Sequence, residues 1–126
     1  MLQLLRTLVL LPLLFTGLAF AAGTSFDAAK FDALNKDGKP ILVAVHADWC
    51  PVCKAQAPIV AELLKTAELK GITAFRVDFD GQKDAVKRFK ATMQSTLIVF
   101  KGGVEVGRST GDTKQDSIAA LLKKAT

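Results

Sequence analysis

The chain has 126 residues, of which 50% are hydrophobic and 23% are charged, and its formal net charge is +5. That length is enough for one ordinary domain with its own hydrophobic core, so the two cysteines are not needed as the framework of a small disulfide-rich protein. The basic residues are scattered and aromatic residues are few, which indicates a solvated surface and argues against nucleic acid as a partner.

The N-terminal segment 1–21 has the features of a secretory signal peptide. Arg6 supplies a positive charge, the stretch 7–18 is largely apolar, and Ala19-Phe20-Ala21 fits the small-x-small pattern of a cleavage site. The apolar stretch is short for a membrane span, and an uncleaved anchor is the alternative. We therefore predict cleavage after Ala21 and a periplasmic or secreted domain over 22–126, in a compartment where disulfides persist.

The remaining sequence alternates between strand-like and helical patterns. Continuous apolar runs of strand length predict buried strands, and apolar residues three and four positions apart predict helices. The first predicted elements are a helix over 25–35 with Ser25 as N-cap, a strand over 41–47 and a helix from Pro51 or Val52 to Gly71 that is kinked by Pro58. A strand over 72–79, a helix over 82–90, a strand over 96–100 and an edge strand over 104–106 follow. The last helix is opened by a capping box of Asp112 and Gln115. Crossover helices imply parallel strands and the terminal hairpin adds antiparallel ones, so we predict an α/β fold with a central mixed β-sheet flanked by helices on both faces.

Both cysteines lie where the strand over 41–47 gives way to a helix. Cys50 and Cys53 form a C-x-x-C pair, which puts the first sulfur at a helix N-terminus. Unpaired N–H groups and the positive end of the helix dipole favour a thiolate there, and a second thiol close by allows disulfide exchange. A purely structural bridge is the alternative, but so small a loop constrains the unfolded chain little.

The mature chain resembles the thioredoxin-fold family over nearly its whole length. The landmarks that carry the resemblance are Ala47-Asp48-Trp49-Cys50-x-x-Cys53-Lys54, Ala57-Pro58-Ile59, Val77-Asp78-Phe79-Asp80, Thr96-Leu97-Ile98-Val99-Phe100-Lys101-x-Gly103 and Gly111. The resemblance implies a thiol–disulfide oxidoreductase in which an exposed Cys50 attacks the disulfide of a protein substrate. The more buried Cys53 would then resolve the mixed disulfide, with no cofactor beyond the redox pair.

Neighbouring residues are expected to tune and guide this chemistry. Pro51 and Val52 separate the cysteines and bring neither a cation nor a full set of N–H donors, so we expect a redox potential between the reducing and the strongly oxidising extremes. Trp49 is interpreted as a partly exposed ring that faces the substrate, with core packing as the alternative. Because no flavin or dinucleotide motif is present, we expect electrons to pass to or from another protein, a membrane-embedded thiol donor or acceptor. The protein itself is expected to be a monomer.

Three positions depart from the family pattern. Ala44 lies where many thioredoxins hold a buried acid. His46 lies at an often aromatic position, and it serves either for packing or for tuning the sulfurs. Ser95 replaces a cis-proline; because a cis bond before a non-proline residue costs about 2.5–4 kcal/mol, we predict that the bond between Gln94 and Ser95 is trans.

The segment that contains Ser95 is also the predicted substrate-binding site, made of Gln94, Ser95 and Thr96. The backbone of Gln94 is expected to pair with an extended substrate peptide by strand addition.

A soft-metal carrier is the competing interpretation. Two thiolates from Cys50 and Cys53, with His46 as a third ligand, suit Cu(I). Structural zinc usually takes four ligands, and this sequence offers three at most, so we predict no resident metal. The sequence does not indicate the substrates or whether reduction or oxidation is the physiological direction.

Overall fold

A computed structural model describes residues 23–126, so the predicted signal peptide lies outside the described residues and stays a prediction. The elements in chain order are β1 (Thr24–Ser25), α1 (Ala28–Lys36), β2 (Ile41–His46), α2 (Pro51–Leu63), β3 (Thr73–Asp78), α3 (Lys83–Arg88), β4 (Thr96–Lys101), β5 (Val104–Thr110) and α4 (Gln115–Lys123). Among residues 23–126, no helix combines the length and the apolar character that crossing a membrane requires.

The five strands form one mixed sheet in the order β1-β3-β2-β4-β5. Strand β3 runs parallel to β1 and β2, whereas β4 is antiparallel to both β2 and β5. The end of β2 therefore lies beside the start of β4, with Val45 opposite Thr96. This arrangement brings the turn that carries Cys50 and the segment that carries Ser95 to the same end of the sheet.

Helices cover both faces of the sheet, as predicted. The side chains of β2 alternate: Leu42 and Ala44 pack with residues of α2 and α4, whereas Ile41, Val43 and Val45 pack with residues of α1 and α3. The second face contains a cluster of phenylalanine rings, most of them in edge-on contact. Burial on both faces explains why β2 is apolar from Ile41 to Val45 rather than alternating.

The first predicted helix begins later than expected. Ser25 belongs to β1, where it pairs with Arg76, and the N-cap of α1 is Asp27, whose carboxylate accepts a hydrogen bond from the backbone N–H of Lys30 at 3.0 Å. Both Ser and Asp are good N-caps, so local preference alone did not separate them. The prediction of Ser25 as N-cap is therefore wrong.

Helix α2 ends earlier than expected, at Leu63 rather than at Gly71. The carbonyl oxygen of Leu63 accepts from both the N–H of Thr66 at 3.1 Å and the hydroxyl of Thr66 at 2.6 Å, so the chain tightens into a turn after Leu63 instead of continuing the helical i→i−4 pattern. The following residues form turns, and Ala67 is exposed.

The elements after the third helix also differ from the prediction in detail. Strand β5 continues to Thr110 instead of ending at 106. The predicted capping box is wrong: the N-cap of α4 is Lys114, and the Asp112 carboxylate accepts from the N–H of Lys114 and the hydroxyl of Ser117. Asp112 thus stabilises the turn that precedes α4 and does not act as the N-cap of that helix.

Candidate active site

Cys50 is the N-cap residue of α2, and Pro51 is the first residue of the helix. The Cys50 Sγ accepts a hydrogen bond from the backbone N–H of Cys53 at 3.1 Å. The two cysteines are bonded as a disulfide with a Cα–Cα distance of 5.3 Å. The sulfur therefore occupies the position at which a capping oxygen usually satisfies a free helix N–H, and the same position favours a negative charge on the reduced sulfur.

Both cysteines are buried, which corrects the expected difference between them. Cys50 is 1% exposed and Cys53 is 3% exposed, so Cys50 is not the accessible member of the pair. The turn before the helix folds back through a hydrogen bond from the Cys50 N–H to the Ala47 carbonyl oxygen at 3.1 Å. It packs both cysteines with Ala47 against Phe79. Attack on the Cys50 sulfur therefore requires neighbouring side chains to move aside.

Apolar side chains on the surface concentrate around the buried disulfide. In the described part of the chain, four large hydrophobic residues are exposed, and three of them, Trp49, Val52 and Met93, lie on the segments that meet at this end of the sheet. Trp49 is 58% exposed, and its indole Nε1 donates to Asp80 Oδ2 at 2.6 Å. The ring is thus held at the surface by a polar contact rather than packed in the core.

The loop formed by residues 93–95 precedes β4 and lies at the same end of the sheet as the disulfide. No peptide bond in the described residues is cis, so the bond between Gln94 and Ser95 is trans, as predicted. Ser95 has a φ of 58°, its N–H donates to the Val45 carbonyl oxygen at 2.8 Å, and its own carbonyl oxygen accepts from the Gly111 N–H at 2.9 Å.

The side chains of this segment differ in accessibility. Ser95 and Thr96 are buried, and the Thr96 hydroxyl donates to the Met93 carbonyl oxygen at 2.8 Å. Gln94 is half-buried and Met93 is exposed. Of the three residues predicted to bind substrate, only Gln94 keeps part of its side chain at the surface.

Gln56 is a residue of this site that the sequence analysis did not single out. It is 4% exposed, and its Nε2 donates to the Ser95 carbonyl oxygen at 3.1 Å and to the Asp112 carbonyl oxygen at 2.8 Å. A glutamine on a helix is usually solvated, so its residue type gave no signal. Its position did, because the buried face of α2 consists of Cys53, Gln56, Val60 and Leu63, spaced three and four residues apart.

The hydrogen bond of His46 goes to the turn before α2 and not to the sulfurs. The ring is half-buried at the end of β2, and Nε2 lies 3.0 Å from Asp48 Oδ1. Within residues 23–126, no three His, Cys, Asp or Glu side chains are grouped so that they could hold a metal ion. The geometry therefore offers no support for copper binding by His46 together with Cys50 and Cys53.

One carboxyl group near the site has a clearly shifted acidity. The hydroxyl of Ser117, and secondarily the backbone N–H of Lys114, lower the pKa of Asp112 below its ordinary value. The backbone carbonyl oxygen of Asp112 is an acceptor for Gln56. Ionised Asp112 therefore helps to order the turn to which Gln56 is bonded.

Comparison with known proteins identifies relatives along most of the chain. The family model described as Thioredoxin matches residues 23–124. A thioredoxin from Chlamydia trachomatis is 36% identical over 84 residues, which cover 67% of this chain and 80% of the relative. An H-type thioredoxin from Fagopyrum esculentum is 32% identical over 96 residues, or 76% of this chain and 81% of the relative. Among solved structures, Trxlp from Edwardsiella tarda EIB202 has a TM-score of 0.77 at 38% identity, covering 79% of this chain and 96% of that one.

These matches agree with the fold and with the position of the cysteine pair. The family match covers nearly all of the described domain, and the pair lies where β2 ends and α2 begins. Such proteins transfer electrons through their own disulfide and need no further cofactor. The chain therefore belongs to the thioredoxin family and is a thiol–disulfide oxidoreductase.

Proposed function

We propose that this protein exchanges disulfides with protein substrates in an extracytoplasmic compartment, with Cys50 as the attacking residue and Cys53 as the resolving residue. In the reducing direction, the Cys50 thiolate attacks a substrate disulfide, forms a mixed disulfide and releases one substrate thiolate. The Cys53 thiolate then attacks the Cys50 sulfur, which releases the second substrate thiolate and leaves the Cys50–Cys53 disulfide. Two electrons pass to the substrate, and the same steps in reverse oxidise a dithiol.

The observation that carries the proposal is the hydrogen bond from the Cys53 N–H to the Cys50 sulfur at the start of α2. It gives Cys50 the environment of a reactive sulfur, whereas a structural cysteine has no need of a helix terminus. The exposed apolar side chains of Trp49, Val52 and Met93 suit contact with a protein surface.

The sequence of the first 21 residues supports the proposed compartment. A positive residue, an apolar stretch and a small-x-small site together support export and cleavage after Ala21. Outside the cytoplasm, the pair needs a redox partner, and a membrane-embedded protein that carries thiols can connect the two compartments. We propose that the mature protein works as a monomer with this partner.

Three measurements test the proposal. Wild type, with dithiothreitol as electron donor, should reduce the disulfides of insulin, whereas Cys50→Ser should be inactive; equal rates for the two would refute it. A Cys53→Ala variant should accumulate mixed disulfides with its substrates. Persistent free thiols with bound copper after purification without reductant would favour a metal carrier instead.

The export step is tested separately. After expression in a bacterium with an outer membrane, the protein should be found in the periplasmic fraction, with Ala22 as its first residue by mass spectrometry. A full-length cytoplasmic product would refute the assignment of compartment and leave the redox chemistry intact.

A further inference from the structure

We propose that Gln56 is a positioning residue that fixes the 93–95 loop against the helix that carries both cysteines. The inference rests on the proposed exchange with protein substrates, because it assigns to the side chain of Gln56 the task of presenting the backbone of this loop to a substrate. Gln56 forms no hydrogen bond with either sulfur, and its effect on the site is exerted through Ser95.

The backbone of Ser95 needs to be held in place. Its φ of 58° lies in the left-handed region, which a residue other than glycine occupies only when surrounding contacts stabilise it. Two of these contacts are backbone hydrogen bonds, to Val45 and from Gly111. The third, from the amide of Gln56, is the one that depends on the identity of a side chain.

Gln56 uses one amide nitrogen to join three parts of the fold. Both hydrogens of Nε2 are directed to carbonyl oxygens, one of Ser95 and one of Asp112, at 3.1 and 2.8 Å. Because Gln56 is 4% exposed, water does not compete effectively for these bonds. The residue lies three positions after Cys53 on α2, so the tether connects the loop directly to the redox helix.

The tether replaces a rigidity that the family pattern places in the loop itself. A proline restricts its own backbone, whereas Ser95 does not. Loss of the Gln56 amide would leave Ser95 O with one donor and would deprive Asp112 O of a donor, so the loop would sample other conformations. An extended protein substrate that pairs with the Gln94 backbone would then bind less well, whereas a small disulfide that reaches only the sulfur would react as before.

The test compares Gln56→Met, which keeps the length of the side chain but has no donor, with wild type. The matched control is Asn35→Leu, which removes a side-chain amide that donates to Gly103 at the opposite end of the sheet. For insulin, we expect Gln56→Met to raise KM about tenfold, the equivalent of one to two net hydrogen bonds, with kcat unchanged. For oxidised glutathione, its rate constant should stay within about twofold of wild type, and Asn35→Leu should leave both substrates unchanged.

A second measurement needs no substrate. Hydrogen exchange of the Ser95 amide in the oxidised protein should become about tenfold faster in Gln56→Met and stay unchanged in Asn35→Leu. Should Gln56→Met fail to fold, Gln56→Asn retains an amide that is too short to reach both carbonyl oxygens, and the same results are expected from it.

The outcomes separate the inference from the function on which it rests. Unchanged exchange at Ser95, or an equal loss with insulin and glutathione, would overturn the role of Gln56. If wild type reduced no insulin while the exchange result held, the proposed exchange with protein substrates would be refuted and the tether itself would stand.

Discussion

The sulfur of Cys50 acts as a capping acceptor, and this makes its two simplest replacements unequal. Serine can accept the Cys53 N–H at the same position, whereas alanine leaves that N–H without a partner. Ser-to-Ala changes at N-caps cost about 0.5–2 kcal/mol. Here the donor belongs to a residue that is 3% exposed, so water cannot readily replace the acceptor, and the cost should lie in the upper half of that range.

We therefore expect reduced Cys50→Ser to be more stable than reduced Cys50→Ala by about 1.5 kcal/mol, or roughly 5–10 °C in Tm. The assay is urea unfolding in the presence of reductant, followed by the fluorescence of Trp49, the single tryptophan of the chain. Equal slopes of the unfolding free energy against urea would show that the two variants bury similar surface. Both variants lack the disulfide, so its loss cancels in the comparison.

The control is the same pair of substitutions at Cys53. That residue lies inside the first turn of α2 and is buried, so it caps nothing, and a serine hydroxyl there must find a new partner. We expect Cys53→Ser to be no more stable than Cys53→Ala. Equal stability of the two Cys50 variants, or the same advantage of serine at both positions, would refute the capping role and remove the main physical reason for a reactive Cys50.

Three further predictions concern the surroundings of the disulfide. Asp80→Leu should release the Trp49 ring, lower its fluorescence anisotropy and reduce kcat/KM for insulin about threefold, with a smaller effect for Asp80→Asn, which keeps an acceptor; unchanged anisotropy in Asp80→Leu would contradict this. Ser117→Ala should destabilise the protein more at neutral pH than in acid: a pKa of Asp112 lowered by that hydroxyl gives stability that is present above the unfolded pKa and lost as the pH falls through the folded pKa. The difference between the urea midpoints of wild type and variant should therefore shrink as the pH falls from neutral through that transition, and a constant difference would count against the pKa assignment. His46→Ala should leave the thiol–disulfide equilibrium with glutathione unchanged within about twofold, because the hydrogen bond of His46 goes to an exposed carboxylate; a larger shift would show that it tunes the sulfurs.

The parts of the fold that were predictable are those set by local patterns. The uninterrupted apolar run of β2 indicated a strand buried on both faces, and the spacing of Ile118, Leu121 and Leu122 indicated the buried face of α4. Pro51 marked the start of α2 because its missing N–H is no loss at a first helical position. The mixed sheet followed from the order of these elements.

The burial of Cys50 was not predictable from its position at a helix start. It depends on Phe79, which comes from the segment after β3, and on the folding back of the turn onto Ala47. The hydrogen bonds of Gln56 depend likewise on carbonyl oxygens 39 and 56 residues away in sequence. Local composition carries no information about such partners. The one signal in the sequence for the role of Gln56 was a polar residue at a position on the buried face of a helix.

The two unusual polar residues of the site explain each other. Taken alone, Ser95 indicates a loop that has lost a rigid proline, and Gln56 indicates a polar defect in the buried face of α2. In the structure they are bonded, and the amide of one holds the strained backbone of the other. A proline would restrict this loop in every state of the chain, whereas the hydrogen bonds of Gln56 act only in the folded protein. How firmly the loop is held beside the disulfide is therefore determined by residue 56 as well as by residue 95.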